Sequence, residues 1–182
     1  MRKIVAYTPK NYHPLAKPSH HGFERADVSA DPLAYYRLVR ELWAAGDTFL
    51  LVEHDIEINE QALLQAEKCP CVWGVSPYSG PGGIGDLLCA SLGFVRFRAE
   101  LMKDEPDVLS EIGKVADGGL EIPPGDFRRL DVRLSTELKL RGYEPHVHAS
   151  QVHHHHVYRC DCVCGYEHEE YSINQDGRFE TT

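Results

Sequence analysis

The stretch LLVEHDIEIN, residues 50–59, ends an apolar run on acids at alternate positions, Glu53, Asp55 and Glu57, with His54 between the first two. Carboxylates are costly to hide without a partner, so acids at the end of a buried-type run call for a bound ligand or for open water. In a strand alternate side chains share a face, which puts Glu53, Asp55 and Glu57 on one side and His54, Ile56 and Ile58 on the other. Two or three carboxylates on one face suit a hard divalent cation, Mg²⁺ or Mn²⁺, which commonly bridges to substrate phosphates. A solvated strand end is the plainer reading, and an acid-x-acid triplet alone is a weak motif.

The flanking sequence says how such a site would be held. KIVAYT, residues 3–8, is a short apolar run with β-branched residues, closed by Pro9, and reads as a first buried strand. Residues 9–30 are rich in Pro, His and Ser and read as a long loop. DPLAYYRLVRELWAAG, residues 31–46, reads as a helix with Asp31 as cap, Pro32 at its first turn and Gly46 as stop. Tyr35, Val39, Leu42 and Trp43 fall on one face of it. TFLLV then follows as a continuous apolar run, as expected for a strand covered on both faces. Strand, helix, strand is the βαβ pattern of an α/β protein with a parallel sheet.

Further along, residues 59–68 read as a helix capped by Asn59, CVWGVSPY (71–78) as a strand, and SGPGGIGD (79–86) as a loop. Residues 87–102 read as a strand passing into a helix, and 131–142 as a short helix with Asp131 as candidate cap, Leu134 and Leu138 one turn apart, and Gly142 as stop. Residues 144–160 read as one or two strands. The glycines at 80–85 match neither the phosphate-binding loop nor the dinucleotide fingerprint.

Length and composition bound the rest. The 182 residues suffice for one domain with a real core, and 42% hydrophobic with 26% charged residues is ordinary for a soluble globular protein. A net charge of −9 argues against a broad electropositive footprint for nucleic acid. The apolar run after Met1-Arg2-Lys3 is too short for a secretory signal, and no stretch approaches the roughly 20 apolar residues of a membrane span. A cytoplasmic protein is the expectation, and its six cysteines then read as thiols or metal ligands.

Seven of the eleven histidines lie beyond residue 145. His146 and His148 alternate along one strand, and His153 to His156 form an unbroken run. Cys160, Cys162 and Cys164, followed by His168, offer a small structural Zn²⁺ site, although zinc knuckles favour a C-x-x-C turn; reduced cysteines on a strand are the alternative. Cys69, Cys71 and Cys89 read as buried core thiols.

Four stretches resemble the small nucleotide-sugar glycosyltransferases of the GT-A fold, near the family 2-like group and its short bacterial and phage forms. They are YYRLVRELWAAGDTFLLVEHDIEI, CPCVWGVSPYSG, LGFVRF (92–97) and PPGDFRRLDVRLSTELKLRGYEPHVHASQVHHHH (123–156). The resemblance covers about residues 1–158, leaving 159–182 as an acidic Cys-rich tail, net −4 from Val157 onward. It implies one Rossmann-like α/β domain with a mainly parallel central sheet flanked by helices. It implies transfer of a sugar from a UDP- or GDP-sugar to a hydroxyl acceptor, with nucleic acid entering only as a modified base that accepts the sugar. Under it Asp55 is a ligand of Mn²⁺ or Mg²⁺, Glu53 contacts ribose or the metal, and His154 and His156 complete the metal shell. Asp131 or Asp126 is the general base, and Tyr7, Thr8 and Pro9 line the nucleotide base pocket. Only about forty residues separate the first strand from the acid triplet, where the fuller family members carry further βα units. The same acids and histidines would also serve a metal-dependent phosphoester hydrolase. A third reading is a degenerate transferase-like binding module with a structural zinc.

Overall fold

The computed structural model describes residues 1–9, 12–31, 33–79, 92–112, 130–155, 171–173 and 179–181. Strand β1 (Arg2–Tyr7) is followed by a single 3₁₀ turn (Lys17–His20), β2 (Glu24–Asp27), helix α1 (Ala34–Ala45), β3 (Phe49–Glu53) and β4 (Ile56–Glu57). Next come α2 (Glu60–Lys68), β5 (Trp73–Val75), β6 (Tyr78–Ser79), β7 (Phe94–Phe97), α3 (Ala99–Asp104), α4 (Val108–Glu111) and α5 (Leu130–Leu140). Strands β8 (His146–Val147), β9 (Val152–His154), β10 (Tyr171–Ile173) and β11 (Phe179–Thr181) complete the order.

The main sheet has the order β2-β1-β3-β7-β5-β8. Three of its five pairings are parallel (β1 with β2, β1 with β3, β5 with β8); β7 runs antiparallel to both neighbours. The α/β class and the mainly parallel sheet expected from the sequence are therefore present. β3 is the structural centre, and its four residues before Glu53 are fully buried because they alternate between two cores. Phe49 and Leu51 pack with Val39, Leu42 and Trp43 of α1 and with Leu134 and Leu138 of α5. Leu50 and Val52 pack on the other face with Ala62 and Ala66 of α2 and with Ile56 and Phe23. Each such side chain contributes about 1.5–3 kcal/mol on burial.

A second sheet, β4-β9-β6, stands at the end of β3. β4 pairs antiparallel with β9, setting Ile56 opposite His154, and β6 pairs parallel with it. β10 and β11 form an antiparallel pair. Among the described residues no helix is long and apolar enough to cross a membrane.

Several local expectations hold: Gly46 ends α1 in the left-handed conformation (φ 69°), and the Asn59 side chain accepts the amide of Ala62 to cap α2. Others need correction. Residues 9–30 are not one loop, since 24–27 add an edge strand beside β1, registered from Ile4–Glu24 to Tyr7–Asp27. That strand reads Glu-Arg-Ala-Asp and lies at an exposed edge, so no apolar alternation marks it. Residues 71–78 split into β5 and β6 around Pro77, which cannot donate to a ladder. Asp31 and Asp131 are not side-chain caps of the usual kind. Asp31 accepts the amide of Leu33 and pairs with Arg37, while Asp131 lies inside the first turn of α5 and accepts the amide of Val132.

Candidate functional site

β3 ends at Glu53, at the carboxyl end of the strand, where ligands of open α/β sheets collect. His54 and Asp55 then form a turn rather than more strand, and β4 begins at Ile56. The simple alternation of three acids on one face is therefore broken. Glu53 and Asp55 stay close enough for each charge to oppose the other, whereas Glu57 leaves the site and meets Nε2 of His155 at 2.8 Å. His54 turns toward the carbonyl of Ala6, and burial holds its pKa down.

The other walls come from distant parts of the chain. β9 lies beside β4, and the amide of His155 donates to the carbonyl of Asp55 at 2.8 Å. This register places Nε2 of His154 at 3.1 Å from Oδ2 of Asp55. The loop ahead of β9 is tied to α2 through Asn59 to the carbonyl of Gln151 and Gln65 to the amide of Ser150. The ring of Tyr78 stands edge-on to His154 at 4.9 Å between centroids. Tyr78 reaches that place over Gly93, where a Cβ would come within 2.7 Å of its ring. Tyr35 of α1 and Asp131 at the start of α5 both act electrostatically on the Glu53 carboxyl, and the Tyr35 hydroxyl is buried with no hydrogen-bond partner among the described residues.

This packing sets the charge state of the acids. Burial, then repulsion from Asp55 and from Asp131, pushes Glu53 up to about 7, against a partial offset from His154 and Tyr35. Asp131 is raised by burial, opposed by backbone amides. Burial also opposes the charge on Asp55, but the bond to His154 and the fields of His154 and His54 prevail and hold it low. His154 is the mirror case: burial disfavours its charge, and Asp55 and Glu53 outweigh that and raise it. Oδ1 of Asp55 and Oγ1 of Thr8 are buried with no hydrogen-bond partner among the described residues. Carboxylate oxygens are the donors a hard divalent ion takes, so Asp55 and Glu53 are the residues here that could hold one.

Of the residues picked from sequence, Glu53, Asp55, Asp131 and His154 converge. Tyr7, Thr8 and Pro9 lie at the end of β1 beside them, since Ala6 pairs with Glu53, and the ring of Tyr7 packs on Tyr12. Asp126, His156, Cys160, Cys162, Cys164, His168 and the glycines at 80–85 lie outside the described residues. Sequence reasoning missed Tyr35, which looked like a core residue of α1, and Tyr78, which no spacing linked to a strand end. It also took Cys69 for a plain core thiol. Cys69, His146 and His148 are the described trio of His, Cys, Asp and Glu whose donor atoms all lie within 4.8 Å of one another. The signal that could have found them is a C-x-C followed by an H-x-H.

No protein-family model and no curated protein matches the chain. Among solved structures the chain is similar to the crystal structure of a glycosyltransferase involved in the glycosylation of the major capsid of PBCV-1. The two share 12% identity with a TM-score of 0.45, over 80% of each chain. Similarity at that level does not fix a family.

Proposed function

We propose that the chain is a metal-dependent glycosyltransferase that moves a sugar from a nucleoside-diphosphate donor, a UDP- or GDP-sugar, to a hydroxyl acceptor. What supports this most is the convergence of Glu53, Asp55, His154 and Asp131 at the carboxyl end of the central strand. The sequence resemblance assigns these four residues to this chemistry, together with His156 and Asp126, which lie outside the described residues.

In this reading Asp55 and neutral His154 would hold Mn²⁺ or Mg²⁺, exchanging the bond they make to each other. Glu53 would serve through water or on the ribose hydroxyls. The ion, when bound, takes up charge that develops on the departing diphosphate. Asp131 would take the proton of the acceptor hydroxyl, and its raised pKa strengthens it as a base. Tyr7, Thr8 and Pro9 would border the nucleotide base. The acids that end this apolar strand would thus be completed by a cation and a diphosphate.

Calorimetric titration with UDP and GDP, each with and without Mn²⁺, tests the reading. Binding that requires the ion and disappears in Asp55→Ala is the expected result. A folded protein that binds neither nucleotide, or binds with no dependence on the ion, refutes it.

A further inference from the structure

Away from the carboxylates, a second group of ligand-type side chains meets across the far edge of the main sheet. Cys69 closes α2, Cys71 lies two residues on, and His146 and His148 come from β8 and the residue after it. Sγ of Cys69 is 3.1 Å from Nδ1 of His146. His148 is 4% exposed, and its Nδ1 meets Oγ of Ser76 at 3.1 Å. Its other nitrogen, Nε2, is buried with no hydrogen-bond partner among the described residues. The two imidazoles stand edge to face, 5.2 Å apart at an angle of 84°. The thiol of Cys71 interacts with that of Cys69.

The backbone is arranged to bring these atoms together. Gly74 of β5 pairs with His146, and a Cβ there would come within 2.7 Å of Nε2 of His148 and 3.3 Å of Sγ of Cys69. The missing side chain is therefore the space into which both donors project. The Cys69–Cys71 turn is clamped from below by buried Arg96, whose guanidinium donates to the carbonyls of Ala66, Cys69 and Cys71.

We infer that Cys69, Cys71, His146 and His148 form a structural zinc site, with Gly74 leaving room for the ion's ligands and Ser76 orienting His148. Two thiolates and two imidazoles suit Zn²⁺ over the hard cations, and the set is neutral once the ion is bound. A tetrahedral site holds its donors about 3.3–3.8 Å apart. The donor atoms of Cys69, His146 and His148 lie within 4.8 Å of one another, and Cys71, two residues from Cys69, would supply the fourth. Ser76 supplies the outer contact that ligating histidines usually have.

The site has a clear mechanical consequence. β8 is an edge strand that pairs with β5 at only two positions, Gly74–His146 and Val75–Val147. Zinc would staple it to the end of α2. The chain runs from there into β9, which carries His154.

The test uses the full chain, purified without a metal-affinity step and desalted against a weak chelator. About one zinc per chain is expected, retained in His154→Ala and lost in Gly74→Ala. Residue-resolved alkylation of the wild-type chain gives a readout that needs no variant: Cys69 and Cys71 react slowly with zinc present and at least tenfold faster after a strong chelator. In a variant with Cys89, Cys160, Cys162 and Cys164 all changed to serine, Co²⁺ should give a thiolate charge-transfer band that zinc displaces. Alkylation rates at Cys69 and Cys71 that ignore zinc and chelator, or a Cys69–Cys71 disulfide in reduced preparations, overturn the inference. So does zinc that stays with Gly74→Ala but leaves when the four other cysteines are replaced.

Discussion

Glu53→Gln should stabilise the metal-free protein, and by an amount that grows with pH. In the folded chain the carboxyl is pushed from its ordinary 4.5 to about 7, first by burial and then by Asp55. Between those values the unfolded chain has released the proton and the folded chain retains it. The unfolded state thus binds fewer protons, and stability falls as pH rises through this window. At about 1.4 kcal/mol per pH unit the loss accumulates to about 3 kcal/mol, complete a little above neutrality. Glutamine keeps the shape of the protonated acid and cannot ionise. The difference between variant and wild type should therefore be constant below pH 4.5, widen toward pH 7 and then level off. For a chain of this size it corresponds to about 6–12 °C in Tm. Urea unfolding of both proteins in a chelating buffer, from pH 4 to pH 9, measures it. Taking the difference removes the contributions of titrating groups that Glu53 does not touch, while the part of the His154 shift that comes from Glu53 stays in it. A gap that does not change with pH would refute the idea that Glu53 is held near neutrality by its surroundings.

Three further outcomes follow from the same geometry. Mn²⁺ affinity should rise with pH across neutrality, because Glu53 near 7 and the raised His154 must both lose protons before they can serve the ion; titration calorimetry at pH 6 and pH 8 reads this, and equal affinities would count against it. Asp131→Asn should lower the transfer rate by about 10²–10⁴-fold and leave the dissociation constant for nucleotide and metal within about twofold, as measured by product release against calorimetry. Phe97→Ala should cost about 3–5 kcal/mol in chemical denaturation, since Phe97 is fully buried among Trp43, Phe49 and Trp73 at 5.3–5.8 Å between ring centroids.

The local pattern of residues was enough to determine β1, α1, β3, α2 and α5. Each carries its own signal in a single stretch: an apolar run with β-branched residues, a stripe at helical spacing, an asparagine at a start, a glycine at a stop. The acid pair at the end of β3 was legible for the same reason, as two acids within three consecutive positions closing an apolar run. Tertiary structure decided everything that depends on register between distant segments. It turned the chain at His54–Asp55, which kept Asp55 beside Glu53 and sent Glu57 to His155. It ran β7 antiparallel between β3 and β5, and it recruited the polar segment 24–27 as an edge strand. Among the four consecutive histidines, pairing of β9 with β4 set His154 against Asp55, ninety-nine residues away. Pairing of β8 with β5 likewise set His146 against Cys69, seventy-seven residues away. A one-residue slip of β9 would turn a neighbouring histidine inward instead, and one of β8 would put Val147 or Pro145 in the place of His146. Such a choice is made by the packing of the two cores on either side of the sheet, and no short stretch of sequence contains it.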